Sequence, residues 1–291
     1  MRMRRILVCA AAAALVLTGC SDPLAGNRQQ QGIVLGSADF AESEVLMHIY
    51  AEALRSTGTE VETTPRIGAR EFYVQAVRDG EITVMPDYTG NLLEQLDPES
   101  AATETGQVRR ELDRALPPEL QLLQHAPAED TDVLTVTGDT AADGVRSMQD
   151  LGPRCREFVL GAPAEWKQRW QERIAELYDC RFAEIRSVEA GTLTVDALTG
   201  GDIQVANLFS TSAQIRANGL VPLDDPKNMF PAQNVVPLVH RDALDPQQTA
   251  VLDRVSASLD TADLTRLNER LEQDKANPVD VAREYVRELG I

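Results

Sequence analysis

The sequence predicts an α/β fold of two similar lobes, each a parallel sheet flanked by helices. Three observations carry that expectation. The stretch "AVRDGEITVMPDYTG" (76–90) aligns without gaps on "ALTGGDIQVANLFST" (197–211), pairing Val84 with Val205, Tyr88 with Phe209 and Thr89 with Ser210. Upstream, "IVLGSADF" (33–40) pairs with "FVLGAPAE" (158–165) at nearly the same offset, so a unit of strand, helix, strand, helix, strand occurs twice. The segments "DTDVLTVTGDTA" (130–141) and "PAQNVVPLVHRDAL" (231–244) read as strands that cross between the lobes, and two crossings make a hinge.

From the N-terminus, Arg2, Arg4 and Arg5 precede the apolar run "ILVCAAAAALVL" and the small-residue site "LTGC". That pattern predicts an export signal over 1–19. The run is shorter than the roughly 20 residues a membrane-spanning helix needs. "LTGC" also resembles the bacterial lipobox, in which the cysteine, here Cys20, is lipidated and becomes the new N-terminus. The polar stretch 20–31 follows as a tether. The first lobe is expected over 32–133 and the second over 134–232, with 233–291 returning to the first. Short apolar strands alternate with amphipathic helices such as "AESEVLMHIYAEALRS" and "AEWKQRWQERIAELY". The final segment reads as helices, with Asp and Thr caps near 260–263 and a break at Pro278.

Composition narrows the function. The chain has 291 residues with 28 Lys+Arg against 46 Asp+Glu, and loss of the three leader arginines leaves 25 bases. Such acidity repels phosphates and argues against nucleic acid. Cys155 and Cys180 remain in the body of an exported chain, where a disulfide is favoured. Each precedes a strand-like run with a helix-like segment between, so a parallel βαβ unit brings them together; a metal pair is the weaker reading. His48, His125 and His240 match no zinc motif. No Gly-x-Ser-x-Gly elbow is present, and neither an enzyme nor a cofactor is expected.

In open parallel sheets, ligands sit beyond the carboxyl ends of the strands. Tyr88 and Phe209 lie just past such ends in equivalent places, so two opposed rings across the inter-lobe seam are expected. Trp166 and Trp170 are one helical turn apart, and Trp166, at a strand-to-helix turn, is a cleft candidate. Asp87 offers a counter-charge for an ammonium or an acceptor for a hydroxyl. Gln233 and Asn234 offer amides at the returning hinge strand.

These segments resemble a known family: "GSADFAES", "IGAREF", "GEITVMPDYTGNLL", "GAPAEW", "GDIQVANLFST", "FPAQNVVPLV" and "NPVDVAREYVRELG" are similar to the substrate-binding lipoproteins of ABC importers for quaternary amines such as glycine betaine, choline and carnitine. The likeness covers about residues 32–291. It implies the type II periplasmic-binding-protein fold with two hinge strands, closing around a small-molecule ligand. It also implies a monomer, anchored to the cell membrane, that delivers its ligand to permease and ATPase subunits. In the family an aromatic box holds the trimethylammonium group. Motif matching places the box positions at Tyr88, near Val133, at Phe209 and at Gln233, with Phe40 in the adjoining "ADF". The carboxylate positions fall at Ala38, where many members carry lysine, at Asn91 and at Arg169, with Arg70 nearby. Only two of the four box positions are aromatic. A non-betaine ligand, polar or aromatic and polyhydroxylated, is therefore a rival for the same receptor role, and a non-transporting sensor lipoprotein is a second.

Overall fold

The computed structural model describes residues 32–188 and 191–291, and the expected leader, Cys20 and the tether lie outside the described residues. In chain order the strands are β1 (Ile33–Gly36), β2 (Val61–Thr64), β3 (Val84–Tyr88), β4 (Leu120–Leu122), β5 (Asp132–Val136), β6 (Val159–Ala162), β7 (Glu184–Ser187), β8 (Val205–Phe209), β9 (Val221–Pro222) and β10 (Val235–His240). The helices are α1 (Ala41–Ser56), α2 (Arg70–Arg78), α3 (Thr89–Leu96), α4 (Thr105–Ala115), α5 (Gly138–Ala142), α6 (Met148–Leu151), α7 (Trp166–Tyr178), α8 (Thr192–Thr199), α9 (Ala213–Ala217), α10 (Pro246–Ser258), α11 (Thr261–Glu272) and α12 (Pro278–Glu288).

The strands form two five-stranded sheets with one plan, β2-β1-β3-β10-β4 and β7-β6-β8-β5-β9. The first three strands of each run parallel, and the fourth is antiparallel. That fourth strand is in each case a crossing strand: β5 enters the second sheet from the first half of the chain, and β10 returns. The aligned stretches become β3 and β8, both five residues long. The likeness extends to packing at two glycines. A Cβ on Gly36, which ends β1, would meet Ile67 Cδ1 at 2.6 Å, and one on Gly161 in β6 would run into Ile203 Cδ1 in the same way. At both places the tip of an isoleucine occupies the space a larger residue would need and would have to shift to admit one.

Apolar clusters cover both faces of each sheet, as helices on both sides of a parallel sheet require. The largest joins α1 to the C-terminal helices through Val45, Ile49, Leu267, Val281 and Tyr285. Those helices start where their caps dictate: Asp260 accepts from the Asp263 amide and Asn277 from the Val279 amide, with Pro278 at the first helical position. Cys155 and Cys180 are joined, their Cα atoms 5.3 Å apart, between the 3₁₀ turn before β6 and the end of α7 before β7. The parallel β6–β7 pair brings the two together, as the spacing predicts. Closing this loop stabilises by about 3 kcal/mol in the chain-entropy model.

Candidate ligand cleft

The carboxyl edges of both sheets meet across a seam. Arg169 on α7 reaches Glu94 on α3 at 2.6 Å, and Thr211, just past β8, reaches Glu42 on α1 at 2.8 Å. Four large apolar side chains are exposed among the described residues: Phe40 (41%), Phe72 (64%), Leu193 (71%) and Phe209 (44%). Each lies at or beyond the carboxyl end of a parallel strand. Phe72 and Leu193 stand at the same spacing as Tyr88 and Phe209, so the duplication relates them. Exposed apolar surface gathered on one edge of a fold marks a binding region more than scattered residues do.

Tyr88 ends β3 and is buried, with the Phe40 ring 6.1 Å away, centroid to centroid, at 32°. The aromatic partner of Tyr88 is thus Phe40 of the same lobe, and Phe209 lies on the rim of the other. Behind the ring, the Tyr88 hydroxyl donates to Glu42 Oε1 at 2.5 Å. Asn268 Nδ2 on α11 donates to Glu42 Oε2 at 2.5 Å, and the Thr211 hydroxyl contacts both Glu42 Oε2 at 2.8 Å and Asp130 Oδ1 at 2.7 Å. Burial raises the Glu42 carboxyl above the ordinary range, opposed by the hydrogen bonds from Tyr88, Asn268 and Thr211. Burial, and then the neighbouring Glu42 charge, hold Asp130 well above its usual value.

The arginines of the cleft are engaged. Arg70, at the start of α2, donates to Asp87 from Nη2 at 2.9 Å and from Nε at 3.2 Å, and the Tyr73 hydroxyl adds a 3.0 Å bond to the same carboxylate. Burial pulls the Arg70 guanidinium down, but Asp87 and Tyr73 more than offset this and leave it above its ordinary value. Arg66 is held by Glu44 and Asp39. Arg169 is half-exposed at the seam with Glu94 and lies 5.0 Å from the Trp170 ring centroid. Lys167, beside it on α7, is exposed.

The remaining expected residues take supporting positions. Trp166 is buried in the second lobe, its indole N–H donating to Asn207 Oδ1 at 3.0 Å, while Asn207 donates to Asp132 at 2.7 Å. Burial raises the Asp132 carboxyl, with Asn207 opposing. Gln233 Oε1 accepts from the Asn91 amide at 2.9 Å and so caps α3, and Asn234 donates to the Ala126 carbonyl. Gly90 between them admits the return strand, since a Cβ there would lie 2.7 Å from the Ala232 carbonyl. Ala38 is buried beside Ser43, and Val133 packs within β5.

Tyr88, Phe40, Asp87 and Arg70 therefore gather at the edge of the first sheet, with Asn91, Gln233 and Asn234 at the adjoining start of α3. Phe209, Arg169 and Trp166 belong to the second. The sequence reading missed Glu42, Asp130, Thr211 and Asn268, and also Phe72 and Leu193. For the last two the signal was present, because they are aligned by the same duplication. Among the described residues no group of three or more His, Cys, Asp or Glu is placed to hold a metal ion. A groove of about 450 Å³, lined by Gln121, His240, Asp242 and Asp253 among others, lies at the opposite, amino edge of the first sheet and shares none of these residues.

The family model for the substrate-binding domain of ABC-type glycine betaine transport systems matches residues 31–288. The glycine betaine-binding protein YehZ of Escherichia coli is 27% identical over 282 residues, covering 89% of this chain and 90% of its own. The carnitine transport binding protein OpuCC of Listeria monocytogenes is 24% identical over 288 residues, covering 94% and 92%. A crystal structure described as a glycine betaine/carnitine/choline ABC transporter superposes with a TM-score of 0.81 at 19% identity, covering 88% of this chain and 98% of that one.

Proposed function

The chain belongs to the substrate-binding domains of ABC-type glycine betaine transport systems, and from that premise we propose that it captures a quaternary amine between its lobes. Tyr88 and Phe40 form the cation-accepting wall, with Phe209 opposite on the second lobe. The chain carries its solute to a permease and ATPase as a monomer, anchored outside the cell membrane through Cys20. It makes and breaks no covalent bond, and specificity comes from cleft shape and a few polar groups.

The observation that carries the ligand class is the ring pair at the end of β3, backed by a buried carboxyl. Each aromatic face in a dry site contributes roughly 0.5–2 kcal/mol to holding a cation. Two of four box positions here are not aromatic, which costs about 1–4 kcal/mol relative to a complete box. A second reading, a polar uncharged ligand, draws on the engaged state of Arg70 and on the amides of Gln233 and Asn234. Mass spectrometry of small molecules retained through gentle purification decides between them. A retained trimethylammonium compound supports the first reading, and a retained polyhydroxy compound replaces it with the second.

A further inference from the structure

We propose that Glu42 is the charge that makes this cleft prefer a cationic ligand, acting through the Tyr88 ring and held in place by Thr211 and Asp130. The proposal rests on Tyr88 and Phe40 forming the ligand wall. It assigns Glu42 a positioning and specificity role that replaces part of what the missing rings would supply.

Proton counting carries the argument. The Thr211 hydroxyl has one proton yet lies 2.8 Å from Glu42 Oε2 and 2.7 Å from Asp130 Oδ1. It donates to one acid and must accept from the other, so the set holds one carboxylic proton. Glu42 already accepts from Tyr88 and Asn268, both at 2.5 Å, whereas the Thr211 amide approaches Asp130 only at 3.3 Å. The more strongly hydrogen-bonded acid keeps the charge, although it is the more buried of the two. The proton therefore sits on Asp130, which donates to Thr211, which donates to an ionised Glu42.

No described hydrogen bond or ion pair joins Glu42 to a lysine or arginine. The titratable groups that face the pair are Tyr88 on β3, Asp132 on β5 and Glu272 on α11, none of them a cation. Arg169, which acts on Asp132, is itself paired with Glu94. An unneutralised carboxylate in a low-dielectric site attracts a cation over several ångströms. Its route to the ligand is the phenol: a hydroxyl donating to a carboxylate enriches its ring, and the ring face is what a quaternary ammonium contacts. Phe40, with 41% of its surface exposed, continues that face toward the opening. Thr211 belongs to the second lobe, so the charge is set where the lobes join.

The test compares choline with 3,3-dimethylbutan-1-ol, its uncharged isostere, by calorimetry on the chain from Cys20 onward with Cys20 replaced by Ser. The wild-type residues are expected to favour choline. Glu42→Gln keeps the size and one acceptor oxygen, for Thr211 and Asn268, and turns the other position into a donor toward the Tyr88 hydroxyl; it is expected to cut that preference at least tenfold and to leave the neutral compound within about twofold. A purely structural role would weaken both compounds alike and overturns the proposal, as does an unchanged preference. A second arm needs no substitution. Choline affinity is expected to fall as pH is lowered through the Glu42 titration, with the isostere unaffected, and a parallel response of the two overturns the proposal. Failure of the wild-type chain to bind either choline or glycine betaine removes the ligand reading before any substitution is made, and the proposal with it.

Discussion

Arg70 and Asp87 are 17 residues apart, and the fold sets them face to face at the rim of the first sheet. Asp87 is almost wholly buried, and its carboxyl group accepts from the Arg70 guanidinium, the Tyr73 hydroxyl and the Tyr88 amide. Removing one partner of such a pair leaves an uncompensated buried charge. Arg70→Ala is expected to lower unfolding free energy by about 3–5 kcal/mol in urea titrations, with Arg70→Lys between it and the wild type because a lysine cannot form the fork. A change below 1 kcal/mol would mean that water reaches Asp87.

The acids behind Tyr88 give a pH dependence whose sign follows from their direction of shift. Asp130 and Glu42 both titrate above the ordinary carboxylate range, so over the window between ordinary and raised values the folded chain binds more protons than the unfolded one. Stability therefore falls as pH rises through that window. Asp130→Asn can still donate to Thr211 without a titrating proton. It is expected to reduce that fall of Tm with rising pH above the ordinary carboxylate range, and an unchanged profile would place the proton elsewhere. Little of this was legible beforehand. Glu42 stood in plain view in "GSADFAES", but its partners Thr211 and Asn268 are 169 and 226 residues away. Only closure of the fold brings them together.

Elements were far more legible than contacts. The gapless match of 76–90 with 197–211 corresponds to β3 and β8, the middle strands of two five-stranded sheets of one spatial plan. Strand position depends on a local apolar pattern that a duplication preserves, whereas side-chain partners depend on what the rest of the fold delivers. Trp166 shows the difference. Its place at the turn after β6 suggested the cleft, yet the indole packs inward on Phe182 at 6.3 Å and bonds to Asn207. The disulfide was legible for the same local reason, since its cysteines precede adjacent parallel strands. Replacing both with serine is expected to cost about 3 kcal/mol. Chemical denaturation should show that loss without altering ligand affinity, because the bridge lies at the amino edge of the second sheet, away from the cleft. A loss of affinity without loss of stability would contradict this placement.

At the scale of the whole molecule, two lobes of one plan are joined by β5 and β10 and held together at the seam by Arg169 with Glu94, Arg216 with Glu269, and Thr211 with Glu42. The first two pairs are solvent-exposed and contribute little, about 0–1 kcal/mol each. The buried contact at Thr211 is the one that a closing motion would make or strain. Phe40, Phe72, Leu193 and Phe209 remain open at the facing edges. A ligand that covers them would bind to the closed form and stabilise it by mass action.

Calorimetry with glycine betaine and choline on the chain from Cys20 onward, beside its Tyr88→Ala variant, tests the central claim most directly. The account predicts saturable one-to-one binding of at least one of the two and a loss of about two- to thirtyfold in affinity when the ring is removed. Binding that Tyr88→Ala leaves unchanged, in a variant that retains the wild-type fold, would contradict it.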